Sequence, residues 1–354
     1  MITRRKLLKY GGASASILAT SSLGFPNLAK SAPTQLIIAD AGGAVRQANQ
    51  KAYYDTFTAK TGIKIVPVDY IDLGRFKAMV DNKTWGNADI VALQGGEAAI
   101  ASKQDLTESI DYGLSDRSKL LPQAARNNFF VPYCAASVIA WNTNRYNEKT
   151  APQSWQAFFD RDTASKFTGP RGLLKNAPLT LEAAAMGAGI PRDKLYPLDV
   201  TKAIATLAHV KANLIWWDQG AQSVELLASR QVDFEFAWNG RIFNAAKSGQ
   251  PLAYHLHDAI LDGDGIVIPK GSPNAKWAQT FIAHMMEAKN QAEFSQMIPY
   301  GPTNVDAMDL IPAKLHPFLP SSPENIKNTI FQDYDWWADN GPKALATFND
   351  FLLG

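Results

Sequence analysis

Leu36-Ile37-Ile38-Ala39-Asp40-Ala41-Gly42-Gly43 opens the stretch that decides the fold. Four consecutive apolar residues suit a buried parallel strand. The Asp-Ala-Gly-Gly that follows is a turn that exposes backbone N–H groups. Val45, Ala48, Ala52 and Phe57 then recur at near-helical spacing, and the pattern stops at Thr61-Gly62, where glycine suits a left-handed cap. Ile63-Lys64-Ile65-Val66-Pro67-Val68 reads as the next strand. The unit is therefore strand, glycine-rich loop, helix, strand.

Outward from this unit the alternation continues. Residues 88–93, 138–142, 172–174, 214–217, 234–238 and 265–269 read as strands, and 97–102, 155–159, 181–187, 200–211, 222–229, 241–248 and 276–287 as helices. Strands alternating with helices predict an α/β fold with open, mostly parallel sheets. Ligands of such sheets sit at the carboxyl ends of strands. That rule selects the loops 40–43, 94–96, 142–144, 218–222 and 239–240, and the segment around Asp264.

The N-terminus reads as an address. Arg4, Arg5, Lys6 and Lys9 precede a weakly apolar stretch from Tyr10 to Leu23, the layout of a secretory signal. The Arg-Arg pair before Leu7-Leu8-Lys9 resembles the twin-arginine signal, an ordinary Sec signal being the alternative. Cleavage is expected near Ser31, with 1–31 outside the fold. No later stretch reaches 18 consecutive apolar residues, and no cysteine stands near the cleavage point to carry a lipid. The mature chain is expected to be free in the periplasm.

The formal charge of +2 hides an asymmetry. Residues 1–31 carry five basic side chains and no acid, so the remainder has 30 basic against 33 acidic residues, a net of −3. Nothing in it predicts a nucleic-acid partner. The single cysteine, Cys134, lies in an apolar run and excludes an internal disulfide. A buried inert thiol is the expectation.

Five segments in this order resemble the periplasmic spermidine/putrescine-binding family of ABC transporters. They are 57–65 (Phe-Thr-Ala-Lys-Thr-Gly-Ile-Lys-Ile), Val131-Pro132-Tyr133, Ala237-Trp238-Asn239-Gly240, 265–270 (Gly-Ile-Val-Ile-Pro-Lys) and 298–304 (Ile-Pro-Tyr-Gly-Pro-Thr-Asn). The resemblance implies a type II periplasmic-binding fold of two α/β lobes with the ligand between them. By analogy one lobe holds 33–141 and 264–304, the other 142–263 and 305–354. It also implies a monomer that delivers its small-molecule ligand to a permease in the inner membrane, with no cofactor and no enzymatic activity.

In polyamine-binding relatives carboxylates take the ammonium groups and aromatic rings sandwich the methylene chain, which fits the cost of burying an ammonium and the cation–π attraction of ring faces. Trp238 and Asp264 fall on such positions, with core aromatic and plain turn as their alternative readings. Tyr133 and Tyr300 are further candidate walls. Other positions depart. The first loop is Asp40-Ala41-Gly42-Gly43, the second Gln94-Gly95-Gly96, and Asn176 and Leu179 stand where the relatives supply acids. The site loses acids and aromatics and gains Gly42 and Gly95, whose loops expose anion-binding N–H groups. Arg171 is a candidate bidentate clamp for a carboxylate, or else a salt-bridge residue. The expected ligand is a cationic or zwitterionic solute: a polyamine, a modified diamine, or a molecule with an amine and a carboxylate. Asp264 takes the cation, Asp40 and Asp218 are reserve acids, and Trp217 and Trp238 are platforms.

Two rival readings stay open. A metal-binding receptor is one: His255 and His257 alternate along one segment and could bind a metal, whereas ferric relatives use a tyrosine pair in the later half of the chain and the pair here, Tyr53-Tyr54, lies on the first helix and reads as structure. An exported enzyme is the other. Neither a Gly-x-Ser-x-Gly elbow nor a His-Glu-x-x-His or Walker motif supports it.

Overall fold

The computed structural model describes residues 32–160 and 166–354, so the expected signal over 1–31 and its expected cleavage near Ser31 lie outside the described residues. In chain order the strands are β1 (Gln35–Ala39), β2 (Lys64–Val68), β3 (Ile90–Gln94), β4 (Tyr133–Asn142), β5 (Arg171–Leu174), β6 (Leu214–Trp217), β7 (Phe234–Trp238), β8 (Leu252–Tyr254), β9 (Ala259–Asp262), β10 (Asp264–Val267), β11 (Gly301–Pro302) and β12 (Thr329–Phe331). The helices are α1 (Gly43–Asn49), α2 (Asp55–Thr61), α3 (Leu73–Asp81), α4 (Gly95–Lys103), α5 (Trp155–Phe159), α6 (Ala177–Gly187), α7 (Val200–Val210), α8 (Gly220–Ala228), α9 (Asn239–Lys247), α10 (Ala275–Met286), α11 (Ala288–Met297) and α12 (Tyr334–Leu353).

Two sheets form. The first has the order β10-β3-β1-β2, parallel except for β10, and the second runs β12-β9-β4-β7-β5-β6. Each strand feeds the core on both faces by its two-residue repeat. β3 sends Ile90 and Ala92 into one cluster with Phe57, Phe281 and Phe294, and Val91 and Leu93 into another with Phe129. β7 likewise places Phe234 and Phe236 with Trp155 and Ala237 with Ile242. Gly62 closes α2 in the left-handed conformation, at φ 76°.

β4 is the strand that joins the lobes, and all ten of its residues are buried. Its first residues, Tyr133 and Ala135, belong to the core of the first sheet. Ile139 and Trp141 belong to the core of the second. β4 hydrogen-bonds within the second sheet from 135 onward. The chain returns through Asp262-Gly263-Asp264, from β9 of the second sheet to β10 of the first. The two crossings lie so close that a Cβ on Gly263 would strike the Tyr133 carbonyl oxygen. The segment from 305 onward packs against the surroundings of both sheets. Ala307, Ile311 and Leu319 pack with Ala292 of α11, and only β12 rejoins the second sheet. α12 then lies against α4 of the first lobe and α6 and α7 of the second.

Candidate functional site

The carboxyl ends of β1, β3, β5, β6 and β7 meet across one cleft that encloses about 550 Å³. This is the edge where an open α/β sheet collects its loops and helix starts.

Asp264 sits on the returning crossing, opposite Gln94 in the β10–β3 ladder. Burial raises its carboxyl to about 6, and a hydrogen bond from the Tyr133 phenol opposes that rise. Tyr133 is fixed by stacking, with ring centroids 4.7 Å from Phe294 and 5.2 Å from Tyr300. Two residues earlier, Asp262 is raised by burial to about 7 and accepts a 2.9 Å bond from the Tyr334 hydroxyl. The crossing thus delivers two desolvated carboxyl groups to one cavity.

A cation faces them. Arg241 stands in the first turn of α9, three residues beyond the end of β7, with its guanidinium carbon 5.7 Å from the Trp238 ring centroid. It reaches over the cleft, so that a Cβ on Gly43 would stand 3.4 Å from its Nη1. Its Nε is buried with no hydrogen-bond partner among the described residues. That nitrogen packs against Gly220, but the side chain as a whole is half-buried and lines the cavity, so its outer guanidinium nitrogens are placed to take a ligand carboxylate.

Trp238 is half-buried and lines the cavity. Behind it Trp217 packs edge-on, with centroids 5.3 Å apart at 76°. The Trp217 indole N–H donates to Glu235 Oε1 at 2.6 Å. Burial pushes the Glu235 carboxyl well above the usual range, with the hydrogen bond from Trp217 opposing that rise.

On the opposite side Asn176 Nδ2 donates to Gln94 Oε1 at 2.7 Å. Glu97, raised by burial, accepts from the Tyr70 hydroxyl at 2.7 Å.

The model of one family, described as bacterial extracellular solute-binding protein, matches residues 52–324. The chain belongs to that family. It is 31% identical over 343 residues to the gamma-aminobutyric acid-binding protein of Pseudomonas aeruginosa, covering 94% of this chain and 95% of the relative. The periplasmic binding protein AgtB of A. tumefaciens R10, solved with agropinic acid, is 30% identical with a TM-score of 0.81 over 91% of this chain and 99% of that one. An ABC transporter substrate-binding protein of Bradyrhizobium japonicum USDA 110 is 31% identical with a TM-score of 0.81, over 90% and 100%. The fold is the two-lobed type II periplasmic-binding fold, and the chain works as the substrate-binding component of an ABC transporter for a small solute. Its relatives are solute-binding proteins rather than enzymes. The family is an exported one.

Of the residues singled out in this solute-binding protein's sequence, Asp40, Gly42, Gln94, Tyr133, Asn176, Asp218, Trp238, Asp264 and Tyr300 line the cavity. Asp218 is exposed at its rim. Three do not line it. Gly95 opens α4 against Asp262 and Tyr334, where a side chain would collide with both. Trp217 is 2% exposed and supports Trp238 from behind. Arg171 is buried in the second lobe, where its guanidinium donates to the carbonyls of Phe158, Asp160, Phe167 and Gly169. It begins β5, at the strand end away from the cleft.

Two further assignments change. Asp40 is not an idle acid, because Arg46 Nε at 2.7 Å, the Tyr54 hydroxyl at 2.7 Å and Gly42 N–H at 3.0 Å all donate to it. Gly42 therefore spends its N–H on Asp40 rather than on an external anion. Tyr53 is a core side chain stacked on Phe294, and His255 Nε2 stands 3.0 Å from the Pro152 carbonyl oxygen. Arg241 was missed by the sequence reading. The signal was present: it lies just past the 239–240 loop that the strand-end rule selects.

Proposed function

We propose that this protein captures a small amino acid-like zwitterion in the periplasm, as a monomer, and hands it to an ABC permease in the inner membrane. The ligand's ammonium pairs with Asp264, its carboxylate with Arg241, and its carbon chain lies along the Trp238 face. Export follows the twin-arginine route, by way of Arg4-Arg5. The observation that carries the ligand reading is the presence of Asp264, a desolvated acid, and the half-buried guanidinium of Arg241 in the same cavity. Each is an expensive group to bury alone and each matches one end of a zwitterion.

A polyamine fits less well. A second ammonium about 4 Å from Arg241 meets about 4 kcal/mol of repulsion at an effective dielectric constant of about 20. A relative named for gamma-aminobutyric acid, itself a zwitterion, supports the same choice.

Isothermal titration of the purified mature chain with 4-aminobutyrate and putrescine at pH 7.5 tests the reading. The amino acid is expected to bind at least tenfold more tightly, and Arg241→Met to erase the preference. Tight spermidine binding with no response to any zwitterion overturns it.

A further inference from the structure

We infer that the cavity holds a second polar subsite, built by Tyr70, Gln94 and Glu97 of the first lobe and Asn176 of the second, which takes a hydrogen-bond-donating arm on the amino acid's nitrogen. The ligand is then a substituted amino acid larger than 4-aminobutyrate. This rests on the amine and carboxylate placement proposed above and extends it.

Space is the first consideration. The cavity encloses about 550 Å³. Even at roughly 30 Å³ per heavy atom, the liquid share of one water, a four-carbon amino acid fills under half of that. The rest is polar. Glu97 stands in the first turn of α4, 7% exposed, and lines the cavity. The Tyr70 hydroxyl occupies its Oε2 at 2.7 Å, whereas Oε1 stands 3.4 Å from Asn176 Nδ2, too long for a strong bond. A carboxyl group has several lone-pair sites, so acceptor capacity remains. Burial weakens Glu97 as an acid, raising its pKa above the usual carboxylate range, and the hydrogen bonds from Tyr70 and Asn176 oppose that rise.

Asn176 is also turned toward the ligand space. It occupies the N-cap of α6, where an asparagine side chain ordinarily accepts from the helix N–H groups. Here it makes no such bond, and its amide reaches across the cleft to Gln94 instead. Gln94 in turn faces Asp264 directly in the β10–β3 ladder. The Asp264 charge also raises the Tyr70 hydroxyl, after burial and Glu97. The subsite therefore adjoins the amine position, within reach of a substituent on that nitrogen.

The test compares three probes by calorimetry on the mature chain: 4-aminobutyrate, its N-substituted form with a six-carbon polyol, and its N-hexyl form. The polyol conjugate is expected to bind at least tenfold more tightly than either of the others. Glu97→Gln is expected to remove at least fivefold from the polyol conjugate while changing 4-aminobutyrate less than twofold, with melting curves confirming that the variant folds. The subsite is refuted if 4-aminobutyrate binds and the polyol adds nothing over hexyl, or if Glu97→Gln weakens both ligands equally. If 4-aminobutyrate and both conjugates fail to bind while a diamine binds, the charge placement itself has failed and the subsite falls with it.

Discussion

The side-chain amide of Asn176 donates to Gln94 Oε1 across the cleft at 2.7 Å, tying the end of β5 in the second lobe to the end of β3 in the first. A bond between the lobes exists only while they face each other, so its free energy biases closure rather than folding. A typical neutral bond contributes about 1 kcal/mol. Asn176→Ala and Gln94→Ala should each lower ligand affinity roughly fivefold, with a double-mutant coupling of about 0.5–1.5 kcal/mol. Melting temperatures of the ligand-free variants should stay near that of the parent. Additive losses would show that the two side chains act apart.

Asp264 and Arg241 should control affinity in opposite chemical senses. Loss of a charge-assisted bond costs about 1.5–3 kcal/mol, roughly 10-fold to 150-fold in affinity. Asp264→Asn should impose that loss on any amine ligand. Arg241→Met should impose it on amino acids and improve diamine binding. Titration of both variants with 4-aminobutyrate and putrescine separates the two effects.

The pH profile follows from the raised acids. Asp264 titrates at about 6, so its carboxylate is formed above that value and a proton competes with the ligand ammonium below it. Affinity should therefore fall as pH drops from 7.5 to 5, and Asp264→Asn should flatten the profile. Stability behaves differently. Asp262 is raised from 3.8 to about 7, so the folded state holds its proton more tightly than the unfolded chain. Its contribution is full below about pH 4 and is lost as pH rises to about 7. Between pH 4 and 7 the ligand-free parent should lose stability relative to Asp262→Asn. Parallel melting curves over that window would contradict the assignment.

Glu235 acts on the site through Trp217. Glu235→Gln keeps a carbonyl acceptor for the indole N–H and should leave binding within twofold. Glu235→Leu strands that N–H and should cost about 1–3 kcal/mol of stability. It should also shift tryptophan emission and weaken binding through the displaced Trp238. Equal behaviour of the two variants would mean that the Trp217 bond does not position the cleft ring.

Gly95 should resist substitution although it touches no ligand space. A methyl group there meets the Asp262 carboxyl and the Tyr334 ring. Overpacking of this kind typically costs about 1–3 kcal/mol. Gly95→Ala should lower the melting temperature, while the same change at Gly86, where a Cβ meets open space, should not.

Much of this was legible in the amino-acid order. Apolar runs of four to six residues and helical repeats are local signals, and they fixed the alternation from β1 to α10 and the loops at the carboxyl ends of the strands. Short edge strands such as β8, and the long α12 near the C-terminus, went unread. The buried residues of α12, Tyr334, Trp337, Gly341, Ala344 and Phe348, do recur at helical spacing, but Gly341 and Pro342 stand in the middle of that stripe and read as helix breakers. The tertiary structure alone decided which side chains meet. Tyr133 and Asp264 are 131 residues apart, and Gln94 and Asn176 are 82 apart. Two arginines near strand ends look alike in sequence. Arg171 starts its strand and is consumed by backbone carbonyls, whereas Arg241 follows the end of its strand and enters the cleft. Periodicity is set within a few residues of the chain, but a binding site is set by the crossing of segments that only the packed core brings together.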